Sequence, residues 1–267
     1  MKIVLAHGVL GFGDELGSFA SSLVPQFISS RLPRPLSYFN GIAAHLEKQP
    51  DVEKVYAWSV SFKGSIEARG KQLATKLATI KGPVHVIAHS MGGLDARWAL
   101  SNDKARTAHV KSLTTIGTPH YGSEVADAIS AKSGPLAGLV PQEAIDFLNA
   151  FAPALRDLTT EQGRAFDAAT KDRTETNGPR VDYREIYGDA SLAGSGALLY
   201  EFAKVVERET NQPNDGMVTK NSALRGRTKS PFDPWPFDHA GEVGWKLGFA
   251  SVLPYYDAIV GVLRTGA

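Results

Sequence analysis

One short stretch restricts the fold of this chain more than any other. Val84-His85-Val86-Ile87-Ala88 is a run of branched and small apolar residues introduced by the breaker Gly82-Pro83. It runs straight into His89-Ser90-Met91-Gly92-Gly93, and Leu94 to Leu100 continues with helical spacing. Such a string predicts a buried strand, a tight turn with a serine at its apex, and a helix. The turn forces the serine into an unfavourable backbone conformation, tolerable only if its neighbours are small. Gly92 meets that need, and Ala88 stands where glycine is commoner. The plainer alternative is a βα turn whose serine only caps the helix.

The rest of the chain repeats the alternation. Ile3-Val4-Leu5-Ala6, Val52 to Val60, Val110 to Ile116 and Val181 to Tyr187 read as further strands, each separated from the next by helix-length segments. That order predicts βαβ units and a mostly parallel sheet. Between the second and third strands, Ile66, Leu73, Leu77 and Ile80 share one helical face, with Ser65 as N-cap and Lys81-Gly82-Pro83 as the stop. A further helix is expected from Ala240 onward. Three stretches fit the sheet pattern poorly: the serine-rich Leu16 to Arg34, the proline-punctuated Ser133 to Leu155, and the aromatic, proline-rich Arg225 to Asp238. In the last, Phe232, Trp235 and Phe237 read first as a structural plug, and Arg225, Arg227 and Lys229 as a solvated face.

Composition narrows the function. Lys plus Arg is 29 and Asp plus Glu is 28, a net charge of +1, so no chain-wide field favours nucleic acid. Cysteine is absent, which removes disulfides, thiolate metal sites and cysteine nucleophiles. No run reaches the roughly 18 apolar residues of a membrane span. The N-terminal apolar run is too short for a signal peptide. The expected localisations are therefore the cytoplasm, a mature secreted form, or export without a cleaved signal.

A serine hydroxyl needs a base. In hydrolases built around such an elbow the chain order is serine, acid, histidine. Past residue 120 there is one histidine, His239, so chain order singles it out if Ser90 is the nucleophile. For the acid, Asp189 just after the fifth strand and Asp215 in Asn214-Asp215-Gly216 are near equals. An oxyanion site needs the N–H of the residue after the serine, Met91, and a second N–H from a loop after an early strand. His7-Gly8-Val9-Leu10-Gly11-Phe12-Gly13 fits that loop, with Val9 as donor. It does not fit the dinucleotide pattern G-x-G-x-x-G.

With these residues quoted, the chain resembles the Pseudomonas- and Proteus-type bacterial true lipases. The opening strand and His7-Gly8-Val9-Leu10-Gly11-Phe12 are similar to that family, as are Glu67 to Leu73, the elbow, Gly117 to Asp127, Leu158 to Gln162 and Asn214 to Val218, in the family's order. The resemblance implies an α/β-hydrolase fold: about six mostly parallel strands, helices on both faces and a helical lid. It implies one domain over residues 1–267, with a lid insertion at roughly 128–157, the lid itself over roughly Ser133 to Phe151. It selects Asp215 as the acid over Asp189 and maps the oxyanion donors onto Val9 and Met91. Leu10, Phe12, Ile145, Leu148 and Phe151 are the expected substrate-binding residues. The expected activity is carboxylic ester hydrolysis by Ser90, Asp215 and His239, with a triacylglycerol lipase first. A short-chain carboxylesterase, thioesterase or acyltransferase, or a non-catalytic binding module, are the alternatives. The expected partner is a lipid or small ester, and no organic cofactor is needed. The family's calcium ion uses an aspartate two residues after the histidine. Here that residue is Gly241, so no metal is expected.

Overall fold

Strands and helices alternate along the chain, and each strand run returns to the same sheet. A computed structural model describes residues 1–9, 38–61, 64–131, 138, 152–193, 199–228, 230–245 and 250–266. In it β1 (Lys2–Ala6), β2 (Lys54–Trp58), β3 (Val84–His89), β4 (Val110–Ile116) and β5 (Asp182–Ile186) form one sheet. The order is β2-β1-β3-β4-β5 and every pairing is parallel. Among the described residues the sheet has five strands, against the expected six or so.

Side chains alternate across the sheet and fill two separate cores. Ile3, Leu5, Ile87, Ile116 and Ile186 face one side. There they pack against α1 (Ile42–Leu46) and the C-terminal helix α10 (Leu253–Thr265). Val4, Ala6, Val84, Val86 and Ala88 face the other side and meet α2 (Ile66–Leu77) and α3 (Met91–Asn102). Helix α2 forms as its pattern predicts: Ser65 caps it by accepting a bond from Ala68 N at 3.3 Å, and Leu73, Ala74 and Leu77 are buried.

The register positions the site. Ala6 of β1 lies opposite Ala88 of β3, so the loop after β1 and the turn after β3 leave the sheet side by side. Beyond β4, α4 (Glu124–Ala131), α5 (Ala152–Asp157) and α6 (Thr160–Ala169) stand over the same edge. After β5 come α7 (Ala190–Ala193), α8 (Tyr200–Thr210) and α9 (Lys220–Ala223). Helices α4 and α5 lie at the two ends of the expected lid insertion. The lid between them and the segment Leu16 to Arg34 lie outside the described residues.

Two expectations need correction. No long helix starts at Ala240. A single 3-10 turn, Gly241–Val243, ends at Gly244 with φ 88°, a left-handed conformation that stops it. Arg225 is not a solvated residue. It binds Asp167 at 3.2 Å and Asp172 at 2.5 Å, while the half-exposed Arg227 binds Glu185 at 2.5 Å. A charged run next to a turn reads as surface, but here the half-buried Asp167 of α6 and Asp172 of the loop after it, with the buried Glu185 of β5, face it.

The aromatic loop is a structural plug, as its composition suggests. Trp235 and Phe237 join the core, and Trp235 stacks against Tyr255 and Tyr256 of α10 at ring distances of 5.4 and 5.3 Å. Its backbone pairs with Gly188, with Trp235 N donating to Tyr187 O at 3.1 Å and Asp189 N to Trp235 O at 2.8 Å. The loop is thus fixed to the end of β5 as if it were one more strand. Trp235→Ala leaves an unfilled hole in that core and is expected to cost about 3–5 kcal/mol. Urea unfolding of wild type and variant measures it.

Candidate active site

Ser90 sits at the strand-to-helix turn with φ 56° and ψ −135°, one of three described non-glycine residues at positive φ. Such a conformation persists only where the surroundings over-determine it. Ser90 N donates to Ile116 O at 3.0 Å, and Thr118 Oγ1 donates to Ser90 O at 2.9 Å. Gly92 presses on the end of β1: a Cβ there would meet Ala6 O and lie 2.7 Å from His7 O. A Cβ at Gly8 would lie 2.7 Å from Ser90 Cβ and 3.0 Å from its Oγ. The small residues around the serine are therefore required by contact on both sides.

His239 and Asp215 meet beside this turn. Asp215 Oδ2 lies 2.8 Å from His239 Nδ1, and His239 N donates to Asp215 O at 2.9 Å. The other carboxylate oxygen accepts from Met217 N at 2.8 Å and Val218 N at 2.7 Å, so the Asn-Asp-Gly turn aims Oδ2 at the imidazole. Asp189 is engaged elsewhere: its Oδ1 caps α7 by accepting from Ser191 N at 3.0 Å and Ser191 Oγ at 2.5 Å. Gly117, φ 52°, opens the space where these groups meet. A Cβ there would lie 2.9 Å from Asp215 Oδ2 and 3.0 Å from His239 Nδ1, and would collide with Glu242 Oε2.

The loop carrying Val9 is held from beneath by Arg69. This guanidinium is fully buried; Nη2 donates to His7 O at 2.8 Å and Gly8 O at 3.1 Å, and Nη1 to Ser61 O at 3.1 Å. Its Nε binds Asp95 Oδ2 at 2.8 Å. Burial pushes the Asp95 carboxyl up to about 6 even beside this cation. His7 completes the support: Val60 N donates to its Nε2 at 2.9 Å, which leaves the proton on Nδ1 to bind Gly8 O at 2.7 Å. Met91 opens α3, so its N–H belongs to the first turn, where backbone donors have no partner within the helix.

Ser90, His239 and Val9 line one cavity of about 130 Å³. Its far wall is apolar, built by Ala126 and Ile129 of α4, Leu155 of α5, Leu158 and Val218. Leu10, Phe12, Ile145, Leu148 and Phe151 lie outside the described residues. The sequence reading missed Tyr38, Arg69, Gly117 and the Ala126–Ile129 face. Arg69 was detectable, because a charged residue three positions after Ile66 falls on the apolar face of α2.

Next to the position where the resemblance puts a calcium ligand, the carboxylate of Asp238 is already engaged. Both Asp238 oxygens are bound to backbone amides, Leu199 N and Gly241 N, at 2.7 Å each. A side chain at Gly241 would start 3.0 Å from Asp238 Oδ1 and 3.2 Å from Phe237 Cβ. Among the described residues, His89, His239 and Glu242 bring ligand-type atoms within 4.8 Å of one another. Those atoms are already engaged with each other, Tyr38 and Asp215.

Comparison with known proteins agrees with this architecture. Residues 1–132 match the family model of a PGAP1-like alpha/beta domain. The mature Bacillus licheniformis lipase superposes with TM-score 0.66 over 98% of this chain and 91% of its own, at 23% identity. A metagenomic carboxyl esterase superposes with TM-score 0.65 over 100% of this chain and 76% of its own, at 17% identity. The chain has the α/β-hydrolase fold. In sequence, the chain is 34% identical to Triacylglycerol lipase 2 of Saccharomyces cerevisiae over 194 residues, 68% of this chain. The match spans 55% of the yeast protein. It is 27% identical to a triacylglycerol lipase of Vibrio cholerae over 94% of this chain and 82% of that one. Among the described residues, no helix is long and apolar enough to cross a membrane.

The buried histidines give this protein a pH-dependent stability. Burial, then Arg69, pushes His7 down to about 4, and burial also holds His89 and His120 well below the usual imidazole range. Between the folded and unfolded values the unfolded chain binds more protons, so stability rises with pH. It is complete above about 6.5 and is lost as pH falls toward 4. The expected loss is roughly 3 kcal/mol from His7 alone, at about 1.4 kcal/mol per pH unit. Tm measured from pH 7.5 to 4.5 should fall steeply below pH 6.5.

Proposed function

We propose that this α/β-hydrolase is a carboxylic ester hydrolase and, within that class, a triacylglycerol lipase akin to the Pseudomonas and Proteus type. One observation carries the reading: a strained serine and an aspartate-held histidine line the same small cavity, whose opposite wall is apolar. A hydroxyl with a base serves acyl transfer, and an apolar wall suits an acyl chain. The order of the sequence blocks and the bacterial lipase relatives support the finer kinship.

Ser90 Oγ attacks the ester carbonyl carbon and passes its proton to His239 Nε2. Asp215 accepts from Nδ1–H, fixing the tautomer and stabilising the imidazolium. The carbonyl oxygen takes up negative charge against the Val9 and Met91 N–H groups, each worth about 3–4 kcal/mol. When the C–O bond breaks, His239 returns the proton to the leaving alcohol. Water, deprotonated by His239, then attacks the acyl-enzyme and releases the acid and free Ser90.

A fluorophosphonate should label Ser90, and Ser90→Ala or His239→Ala should lower kcat by roughly 10⁴-fold or more while the fold persists. Asp215→Asn should cost more than Asp189→Asn. A chain that neither labels nor turns over p-nitrophenyl esters is a binding module instead. Turnover restricted to soluble short-chain esters, with none on emulsified triacylglycerol, makes it an esterase.

No calcium dependence is proposed, because Asp238 already ties the histidine loop to Leu199 through the carboxylate that an ion would need. Tm and ester turnover should be unchanged by EDTA. A Tm that falls on chelation and recovers specifically with calcium overturns this.

A further inference from the structure

We propose that Tyr38 is a third donor to the developing oxyanion, held in that role by a hydrogen-bond line that runs Glu242–His89–Tyr38 alongside Ser90, His239 and Asp215. The inference rests on the ester-hydrolase reading and adds a substrate-contacting residue and two positioning residues to it. Tyr38 lines the cavity with Ser90 and His239. The point where Gly8 lacks a Cβ lies 2.6 Å from Tyr38 Oη and 3.0 Å from Ser90 Oγ, so phenol and serine hydroxyl both border the space that glycine leaves. Gly8 directly precedes Val9. Trp245 Nε1 donates to Tyr38 O at 3.0 Å and fixes the backbone of this tyrosine.

The line behind it is built of buried groups. Tyr38 Oη lies 2.6 Å from His89 Nδ1, and His89 Nε2 lies 2.9 Å from Glu242 Oε2. The His89 ring stacks on His239 with centroids 4.4 Å apart. Glu242 is fully buried, and Asp215 and Asp238 bear on it. Burial and these two carboxylates hold its carboxyl well above the usual range. Among the described residues its Oε1 has no hydrogen-bond partner. That is tolerable for the carbonyl oxygen of a neutral acid and expensive for a buried carboxylate.

Proton directions follow. Glu242 carries its proton on Oε2 and donates to His89 Nε2. A neutral imidazole has one proton, so His89 carries it on Nδ1 and donates to Tyr38 Oη. The Tyr38 proton is then directed away from His89, toward the side of the ring that borders Ser90. If Glu242 were ionised, every bond in the line would reverse, and Tyr38 would spend its proton on His89.

The test uses the full chain, p-nitrophenyl butyrate turnover and Ser90 labelling by diethyl p-nitrophenyl phosphate. Tyr38→Phe should lower kcat about tenfold to a hundredfold, with KM within about twofold and Tm unchanged. Glu242→Leu removes the donor to His89 and should lower kcat to a similar degree. Glu242→Gln keeps an N–H donor and should recover kcat to within about threefold of wild type. Wild-type kcat in Tyr38→Phe, or Glu242→Gln as slow as Glu242→Leu, overturns the inference and leaves the ester-hydrolase reading standing. If Glu242→Leu does not fold, Tyr38→Phe and Glu242→Gln decide it. A wild-type chain that neither labels nor turns over ester overturns both.

Discussion

The positive φ of Ser90 is the constraint around which the functional end of the molecule is organised. A non-glycine residue at φ 56° and ψ −135° stays there only if its alternatives are blocked. The blocking comes from the two strands that flank β3, β4 with the loop after it and β1. Ile116 O at the end of β4 takes its N–H, Thr118 binds its carbonyl, and the end of β1 stands against Gly92. The elbow therefore depends on β1, β3 and β4 being adjacent, and the parallel order places them so.

A second dependence is electrostatic. The loop carrying Val9 has carbonyls that no strand satisfies, and Arg69 and His7 satisfy them from inside the protein. The cation that does this is buried, which is tolerable only because Asp95 pairs with it. On the other side of the serine, Asp215, Asp238 and Glu242 crowd one histidine, and among the described residues no lysine or arginine is bonded to any of them. Backbone amides carry the load for Asp215 and Asp238, and protonation carries it for Glu242. The histidine loop is held by the chain's own contacts: Trp235 and Phe237 anchor it by burial, Gly188 pairs with it, and Asp238 bonds it to Leu199.

Much of this was legible in one dimension. Period-2 and period-3.6 patterns report burial, and burial fixes which elements form, so all five described strands and the capped helix α2 could be read directly. The serine turn was legible because strain leaves a compositional trace, small residues at fixed offsets. Arg225 misled for the opposite reason. A charged residue beside a turn is usually solvated, and nothing local shows that Asp167 and Asp172, more than fifty residues away, close over it.

The sequence by itself determined the order of the elements and the turn that bears Ser90, and it pointed to His239 as the expected base, since chain order leaves one histidine after residue 120. From the residues alone Asp189 and Asp215 were near equals, each a short-range turn signal, and the family resemblance favoured Asp215; neither shows which way each turn faces. Only the tertiary structure decided that: Asp189 caps its own helix, while Asp215 reaches His239 through space that Gly117 leaves open. It likewise brought Tyr38, His89 and Glu242 into one line across 204 residues of chain. Contacts between distant segments follow from how the two faces of the sheet are packed, and no local pattern encodes that packing.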